Sequence, residues 1–184
     1  MTVNPQAAGK DEQGISLLET MIAIFVLMFG LLAVLGTFAL AVGNTQSVQL
    51  DSIARQKAAE TMESIFTARH SNQIAFDQIY NVGTGNGIFT AGFTALTDPG
   101  PDGLDGTADD VPAASITLPG PSGTITGQSP PDVTVSLATF TRQIQIADVP
   151  NEPNVRQVTV TIRYPTPQGW FRQYQVQGLI SSFR

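Results

Sequence analysis

The side chain best placed to do chemistry in this sequence is the carboxylate of Glu19, because it lies inside an apolar stretch. Ile15 to Val42 is a run of 28 residues dominated by Ile, Leu, Val, Phe, Met and Ala, and Glu19 is its one charged residue. About 20 apolar residues are enough for a helix to cross the hydrocarbon layer of a bilayer. An ionisable group costs about 2.5 to 3.5 kcal/mol at the centre of such a segment, so it normally has a function and a partner. The pattern predicts a membrane-spanning helix whose carboxylate, near one end, needs a cation.

The residues before this stretch differ from a conventional signal peptide. Residues 1–13 are polar and small, and they lack the apolar core of about 7 to 15 residues that precedes the cleavage site of a secretory signal. Here the apolar run follows Gly14 and is much longer than such a core. We therefore expect the hydrophobic segment to stay in the mature protein.

The sequence GISLLE at residues 14–19 resembles the class III leader junction of type IV pilins and type II secretion pseudopilins. The resemblance implies that a prepilin peptidase cuts after Gly14 and methylates the new N-terminal residue, Ile15. It also implies that Glu19 pairs with the free amine of a neighbouring subunit during filament assembly. The physical argument agrees, since a carboxylate in low dielectric needs a cation.

Three departures from the family pattern favour a minor pilin or a pseudopilin over a major pilin. Ile15 stands where phenylalanine is more usual, and Gly36 stands where major pilins often have a proline. The chain has no cysteine, so it cannot form the disulfide that closes a C-terminal loop in many pilins. The resemblance implies as partners other pilin subunits, the prepilin peptidase and an inner-membrane assembly platform. It implies a single-pass location in the inner membrane before assembly, and then in a cell-surface or periplasmic filament.

The resemblance implies a leader at 1–14 and a filament-core role for the transmembrane helix at 15–42. Hydrophobic periodicity and turn residues divide the rest of the chain and predict an α+β fold. The further regions are an amphipathic continuation of the helix at 43–70, a glycine- and proline-rich loop region at 71–132 and an antiparallel sheet at 133–184. The helical continuation is predicted from apolar residues at three- and four-residue spacing, namely Leu50, Ala54, Ala58, Met62 and Ile65. We expect this long N-terminal helix to pack on an antiparallel sheet of about four strands, which is the pilin fold that the resemblance implies.

The four strands are predicted from segments rich in β-branched and aromatic residues between turn residues. They are Val133–Leu137, Thr139–Ile146, Val155–Tyr164 and Gln173–Ile180. In the third segment apolar residues alternate with polar ones, as one buried sheet face requires. A shorter pair is predicted around 88–93 and 116–126.

The densest charge cluster is an acidic loop at 98–110. Five of the 13 acids that follow the predicted leader fall within these 13 residues: Asp98, Asp102, Asp105, Asp109 and Asp110. Calcium takes six to eight oxygen ligands from carboxylates and carbonyls, and glycine permits the tight winding of such a loop. We expect either a calcium site formed by these five carboxylates or a solvated acidic loop without an ion, and the sequence leaves both open. No other cofactor is expected.

Other functions find little support in the sequence. A net charge of −6 without a basic stripe argues against a nucleic-acid surface. The single histidine, His70, is expected to cap the helix, and the glycines at 83–87 lack the strand-to-helix context of a phosphate-binding turn. Trp170, Phe171 and Tyr174 are expected to pack on a hairpin. We predict no enzyme activity, and the alternative to a pilin is a membrane-anchored, calcium-dependent binding module that does not polymerise.

Overall fold

One long helix dominates the N-terminal part of the fold. The computed structural model describes residues 17–113, 115–118 and 132–183. Helix α1 (Leu17–His70) contains 54 residues. The helix predicted from the apolar run and the spaced apolar residues is therefore confirmed within the described part of the chain.

The chain forms two compact units, residues 1–44 and 45–184. In the first unit the described part of α1 carries one charge, Glu19, and its apolar side chains are exposed. Among the described residues α1 is the helix that is long and apolar enough to cross a membrane. By length and composition it fits a single-pass anchor, although a signal sequence has the same properties.

The second unit holds the second half of α1 and all the strands that the described residues form. A short 3-10 turn at Phe76–Gln78 follows the helix. The strands are β1 (Thr94–Ala95), β2 (Thr97–Asp98), β3 (Val111–Pro112), β4 (Ser115–Leu118), β5 (Val133–Ser136), β6 (Thr141–Val149), β7 (Glu152–Pro165) and β8 (Phe171–Ser181).

The main sheet is antiparallel and four-stranded, in the order β1-β6-β7-β8. It confirms the α+β prediction of a long helix packed on a sheet of about four strands. One strand was assigned wrongly, however, because the segment predicted at 133–137 does not join this sheet. It forms β5, which pairs with β4 in a separate two-stranded ribbon, and the fourth place is taken by the short β1. Alternation predicts that a segment is a strand but does not specify its partner.

The central strand β7 sets the two faces of the sheet. Val160 is paired with Ile144 of β6 and Val176 of β8, and these three side chains share one face. The next row pairs Thr161 with glutamines on both sides and faces the other way. The alternating sequence of this strand therefore puts its branched apolar residues in the core and its threonines on the opposite face, where Thr159 and Thr161 are also buried.

The core lies between the apolar face of the sheet and one face of α1. Ile53, Ala54, Ala58 and Ile65 of the helix are at most 1% exposed. Gly178 of β8 lets the helix approach closely, since a Cβ there would lie 3.0 Å from the Phe66 ring. Small residues on both elements thus determine how closely the second half of α1 packs on the sheet.

The described part of the region from 71 to 132 contains short strands among its loops. It holds β1, β2, β3 and β4, all short. The strand predicted around 88–93 does not form, since Phe89 makes one isolated bridge with Asn81. Its predicted partner is a strand at 115–118, but that strand pairs with β5, and residues 119–126 lie outside the described part of the chain.

Candidate functional site

The first candidate site is the apolar half of α1. From Leu17 to Val42 its large hydrophobic side chains are 49 to 77% exposed, so no described part of the chain covers them. Glu19 lies in the first turn of the described helix, where the helix dipole favours a negative charge. No residue within 17–113, 115–118 or 132–183 forms an ion pair with it. The surface is thus apolar and exposed, and it includes one carboxylate that has no ion-pair partner among the described residues.

Gly14 and Ile15 lie outside the described residues. Cleavage after Gly14 and methylation of Ile15 therefore remain predictions from the sequence. The distance between Ile15 and the Glu19 carboxylate is likewise outside what the structure describes.

The second candidate site is the acidic loop, and its centre is the buried guanidinium of Arg142 on β6. This side chain is 2% exposed. Its Nη1 lies 2.7 Å from Oδ1 of Asp105, and its Nη2 lies 2.7 Å from Oδ2 of Asp110. The two carboxylates are themselves 9% and 6% exposed. The crowded negative charge predicted from the sequence is thus neutralised in part by an arginine of the protein.

Two threonines complete this charge cluster. The Thr61 hydroxyl on α1 donates to Asp105 over 3.1 Å, and it accepts from Arg142 over 3.3 Å. The Thr97 hydroxyl on β2 donates to Asp110 over 2.6 Å and accepts from Arg142 over 2.7 Å. Buried charges are tolerated when they are paired and hydrogen-bonded in this way. The cluster joins the helix, the acidic loop and two strands at one point.

The outer aspartates of the loop are arranged differently. Thr107 Oγ1 lies 2.7 Å from Oδ1 of Asp109 and 3.2 Å from Oδ2 of Asp102. The hydrogen bond from this hydroxyl lowers the pKa of Asp109 below its ordinary value. Asp98 is half-exposed and lies 3.6 Å from Nζ of Lys57. Asp109 is exposed and Asp98 and Asp102 are partly exposed, and none of the three carboxylates forms an ion pair with Arg142.

The five aspartates predicted as calcium ligands are therefore not brought to one centre by their side chains. Within the part of the chain that the structure describes, no group of three or more His, Cys, Asp or Glu side chains is placed to hold a metal ion. Main-chain carbonyls are the remaining oxygen ligands in such a loop. Calcium binding here stays a prediction.

The aromatic residues near the last hairpin pack partly as expected. Arg163 lies over the ring of Phe171 at 4.2 Å, and Arg55 lies over the ring of Tyr174 at 4.9 Å. Trp170 differs, since it is 76% exposed. His70 lies at the end of α1 with Nδ1 2.9 Å from the Phe66 carbonyl, consistent with its expected place at the helix end.

Sequence reasoning missed two buried arginines. Arg142 is central to the acidic loop, and Arg156 of β7 lies between the rings of Phe76 and Tyr80 at 4.1 and 3.5 Å. Arg156 also donates to the Ile79 carbonyl over 3.1 Å. The alternation of the strands could have revealed them. Each arginine falls two residues before a core-facing apolar residue of its strand, so its side chain lies on the same face of the sheet as the core. A charge in register with the core predicts a buried partner.

Comparison with protein-family models, with curated proteins and with solved structures finds no match to this chain.

Proposed function

We propose that this chain is a structural subunit, a minor pilin or a pseudopilin, of a type IV pilus or a related secretion filament. It is cleaved after Gly14 and assembled through its N-terminal helix. The observation that supports this best is the exposed apolar half of α1, which carries one carboxylate. That carboxylate belongs to Glu19, the last residue of the junction at residues 14–19.

The exposed apolar surface requires two successive environments in this proposal. Before assembly, the side chains from Leu17 to Val42 lie in lipid, which is the solvent that a helix apolar on all sides prefers. In a filament the same side chains pack against the helices of neighbouring subunits. Lipid tails are as apolar as leucine, so the exchange gives little hydrophobic gain, and packing and polar contacts must drive it.

Glu19 supplies the polar contact. A carboxylate in lipid is energetically costly, and this cost falls when a cation approaches. The amine of Ile15 on a neighbouring subunit, created by cleavage, is a cation at the corresponding end of the helix. A paired charge in low dielectric has a narrow range of favourable positions, so this contact also sets the register between helices.

The test begins with the N-terminus of the mature chain. Mass spectrometry of protein isolated from its native cells is expected to find N-methylated Ile15 as the first residue. Retention of Met1 or Thr2 would instead support the non-polymerising membrane anchor.

Replacement of the carboxylate tests assembly directly. Glu19→Ala is expected to leave the protein in the membrane fraction and to remove it from sheared filaments. Glu63→Ala is the matched control, because Glu63 is an exposed acid of the same helix outside the apolar segment. Normal incorporation of the Glu19 variant would contradict the proposed role, and loss of both variants from filaments would show that the effect is not specific to this position.

A calcium-dependent role for the acidic loop is a second proposal, and one observation favours it. Around Thr107 Oγ1 lie oxygen atoms of Asp102, Asp109 and Asp110 and the Leu104 carbonyl, at 2.7 to 3.2 Å. One hydroxyl has one proton to donate, so it cannot satisfy all four. A calcium ion bound near these oxygens would relieve that crowding.

A further inference from the structure

The hairpin between β7 and β8 holds two large aromatic side chains in solvent. Trp170 is 76% exposed and Phe171 is 59% exposed. The turn that carries them is closed by hydrogen bonds. Thr166 is 8% exposed, its backbone NH donates to the Trp170 carbonyl over 2.7 Å, and Gly169 adopts the positive φ that closes the turn. The aromatic side chains are therefore held outward by a fixed backbone.

This hairpin lies beside the N-terminal turns of the part of α1 that belongs to the second unit. Pro165, Thr166 and Pro167 line one cavity together with Gln46 and Leu50 of α1. The neighbouring Tyr164 hydroxyl donates to Asp51 over 2.7 Å. The hairpin thus lies close to the first turns of α1 within the second unit.

The chain distance from these contacts to the apolar segment is short. Gln46 follows Val42 by four residues, or about 6 Å of helical rise. The polar headgroup layer on each side of a bilayer is about 5 to 8 Å thick, from a total of about 40 to 45 Å and a hydrocarbon core of about 30 Å. The chain distance from Val42 to Gln46 is therefore comparable to the thickness of that layer.

The composition of the tip suits that layer. Tryptophan is enriched where a protein crosses the membrane–water interface, because its ring is amphipathic. Arg163 and the exposed Arg172 add positive charge beside the aromatic rings, whereas the nearby Asp51 already binds Arg55 at 2.7 Å. Basic residues close to a membrane surface are attracted to anionic lipids by about 1 kcal/mol each. This local excess contrasts with the net charge of −6 of the whole chain.

We propose that the hairpin tip, residues 166–172, inserts into the headgroup layer of the membrane that holds the apolar segment. Trp170 and Phe171 lie at the interface, and Arg172 binds lipid phosphate. The docked tip fixes the orientation of the second unit on the membrane surface. The proposal rests on membrane insertion of α1 and does not need filament assembly, so it can fail while the proposed function holds.

Trp170 is the single tryptophan of the chain and serves as its own probe. The full chain is reconstituted in vesicles of phosphatidylethanolamine and phosphatidylglycerol. We expect its emission to shift to shorter wavelength and to be quenched by lipids brominated near the headgroup end of the acyl chain. We also expect acrylamide, a quencher dissolved in water, to lose access to it.

The control moves the same probe to the opposite end of the unit. Phe183 is 74% exposed and lines a cavity with His70, which is 24 residues, or about 36 Å of helix, beyond Gln46. In the double variant Trp170→Phe, Phe183→Trp, the emission is expected to stay water-like and unquenched by lipid. Equal quenching at both positions would overturn the proposal.

A second pair of variants keeps the probe and changes its neighbours. Phe171→Ser is expected to reduce quenching of Trp170 by brominated lipid. Leu179→Ser, at a 60% exposed residue further along the same strand, is expected to leave it unchanged. No loss of quenching in the Phe171 variant would count against the proposal.

Two further outcomes are decisive. Failure of the chain to float with the vesicles would show that α1 does not insert into the membrane, and the proposal rests on that insertion. Flotation measures this independently of the fluorescence. A blue shift that rises with the ratio of protein to lipid, without quenching by brominated lipid, would show that a second copy of the chain covers the tip. The second result would overturn lipid docking without bearing on the role of Glu19 in filaments, whereas failure to float would also contradict the membrane stage of the proposed function.

Discussion

Replacing Arg142 with methionine is expected to destabilise the second unit by about 3 to 5 kcal/mol. The variant keeps an apolar side chain of similar length but removes the cation. It leaves the carboxylates of Asp105 and Asp110, which are 9% and 6% exposed, without the guanidinium that lies 2.7 Å from each. Breaking a buried ion pair from one side costs about 3 to 5 kcal/mol, because the remaining charge is uncompensated.

The hydrogen bonds that Arg142 donates lead to a similar estimate of the loss in free energy of unfolding. Arg142 makes two charge-assisted hydrogen bonds to carboxylates, and bonds of this kind contribute about 1.5 to 3 kcal/mol each. Their sum, about 3 to 6 kcal/mol, overlaps the range from the ion-pair argument. The total free energy of unfolding of a domain is about 5 to 15 kcal/mol, so the loss is a large fraction of it.

The assay is a urea titration of the full chain in detergent micelles, followed by the circular dichroism of aromatic side chains in the second unit. With a slope of about 2 kcal/mol per molar urea, a loss of about 4 kcal/mol lowers the midpoint by about 2 M. Arg172→Met is the matched control, because Arg172 is exposed on β8, and a surface substitution normally changes stability by less than about 0.5 kcal/mol.

A rescue variant tests the cause of the loss. When Asp105→Asn and Asp110→Asn are added to Arg142→Met, the uncompensated charges disappear, and much of the stability is expected to return. Loss of packing alone would give no recovery. A cost for Arg142→Met as small as that for Arg172→Met would refute the reasoning, since the buried cation would then not hold the loop in place.

Two further predictions concern a titration and an ion. Burial, and after it the hydrogen bond to Asp51, raises the pKa of Tyr164 to about 12. The stability that this provides is complete below pH 10 and is lost as the pH rises through about 12, so unfolding at pH 9 to 12 should be less pH-dependent in Tyr164→Phe. Calcium bound at the loop should stabilise the folded chain and so raise its melting temperature. At a calcium concentration of 100 times the dissociation constant, the free energy of unfolding should increase by about 2.7 kcal/mol. Asp102→Asn combined with Asp109→Asn should abolish this rise and Asp77→Asn should not, whereas an unchanged melting temperature in the wild type would remove the calcium prediction.

Local patterns were enough to predict most of the secondary structure. The apolar run and the spaced apolar residues after it predicted α1, and alternation in the segment from Val155 to Tyr164 predicted the central strand β7. Such elements depend on the period of their own residues. The pairing of β5 depends instead on two short strands elsewhere in the chain. It pairs with β4, which ends about 15 residues earlier, while β1 pairs with β6 in the main sheet, and neither short strand has a distinctive sequence.

The same limit applied to the candidate sites. Glu19 was found because its environment is defined by its neighbours in sequence, whereas the environment of Asp105 and Asp110 is defined by Arg142, more than 30 residues away. Counting charges within the loop therefore suggested either a calcium ion bound by all five aspartates or a solvated loop without an ion, and it did not suggest the arginine.

The position of Arg142 within its strand contained the missing information. It is two residues after Phe140 and two before Ile144, both buried, so it lies in phase with the core of β6. A buried guanidinium requires carboxylates, and the loop at 98–110 is the one acidic cluster in the sequence after the predicted leader that has several to offer. An acidic loop and an arginine on the core-facing side of a strand are thus expected to pair with each other. This pairing should be considered before a metal is assigned to an acidic loop.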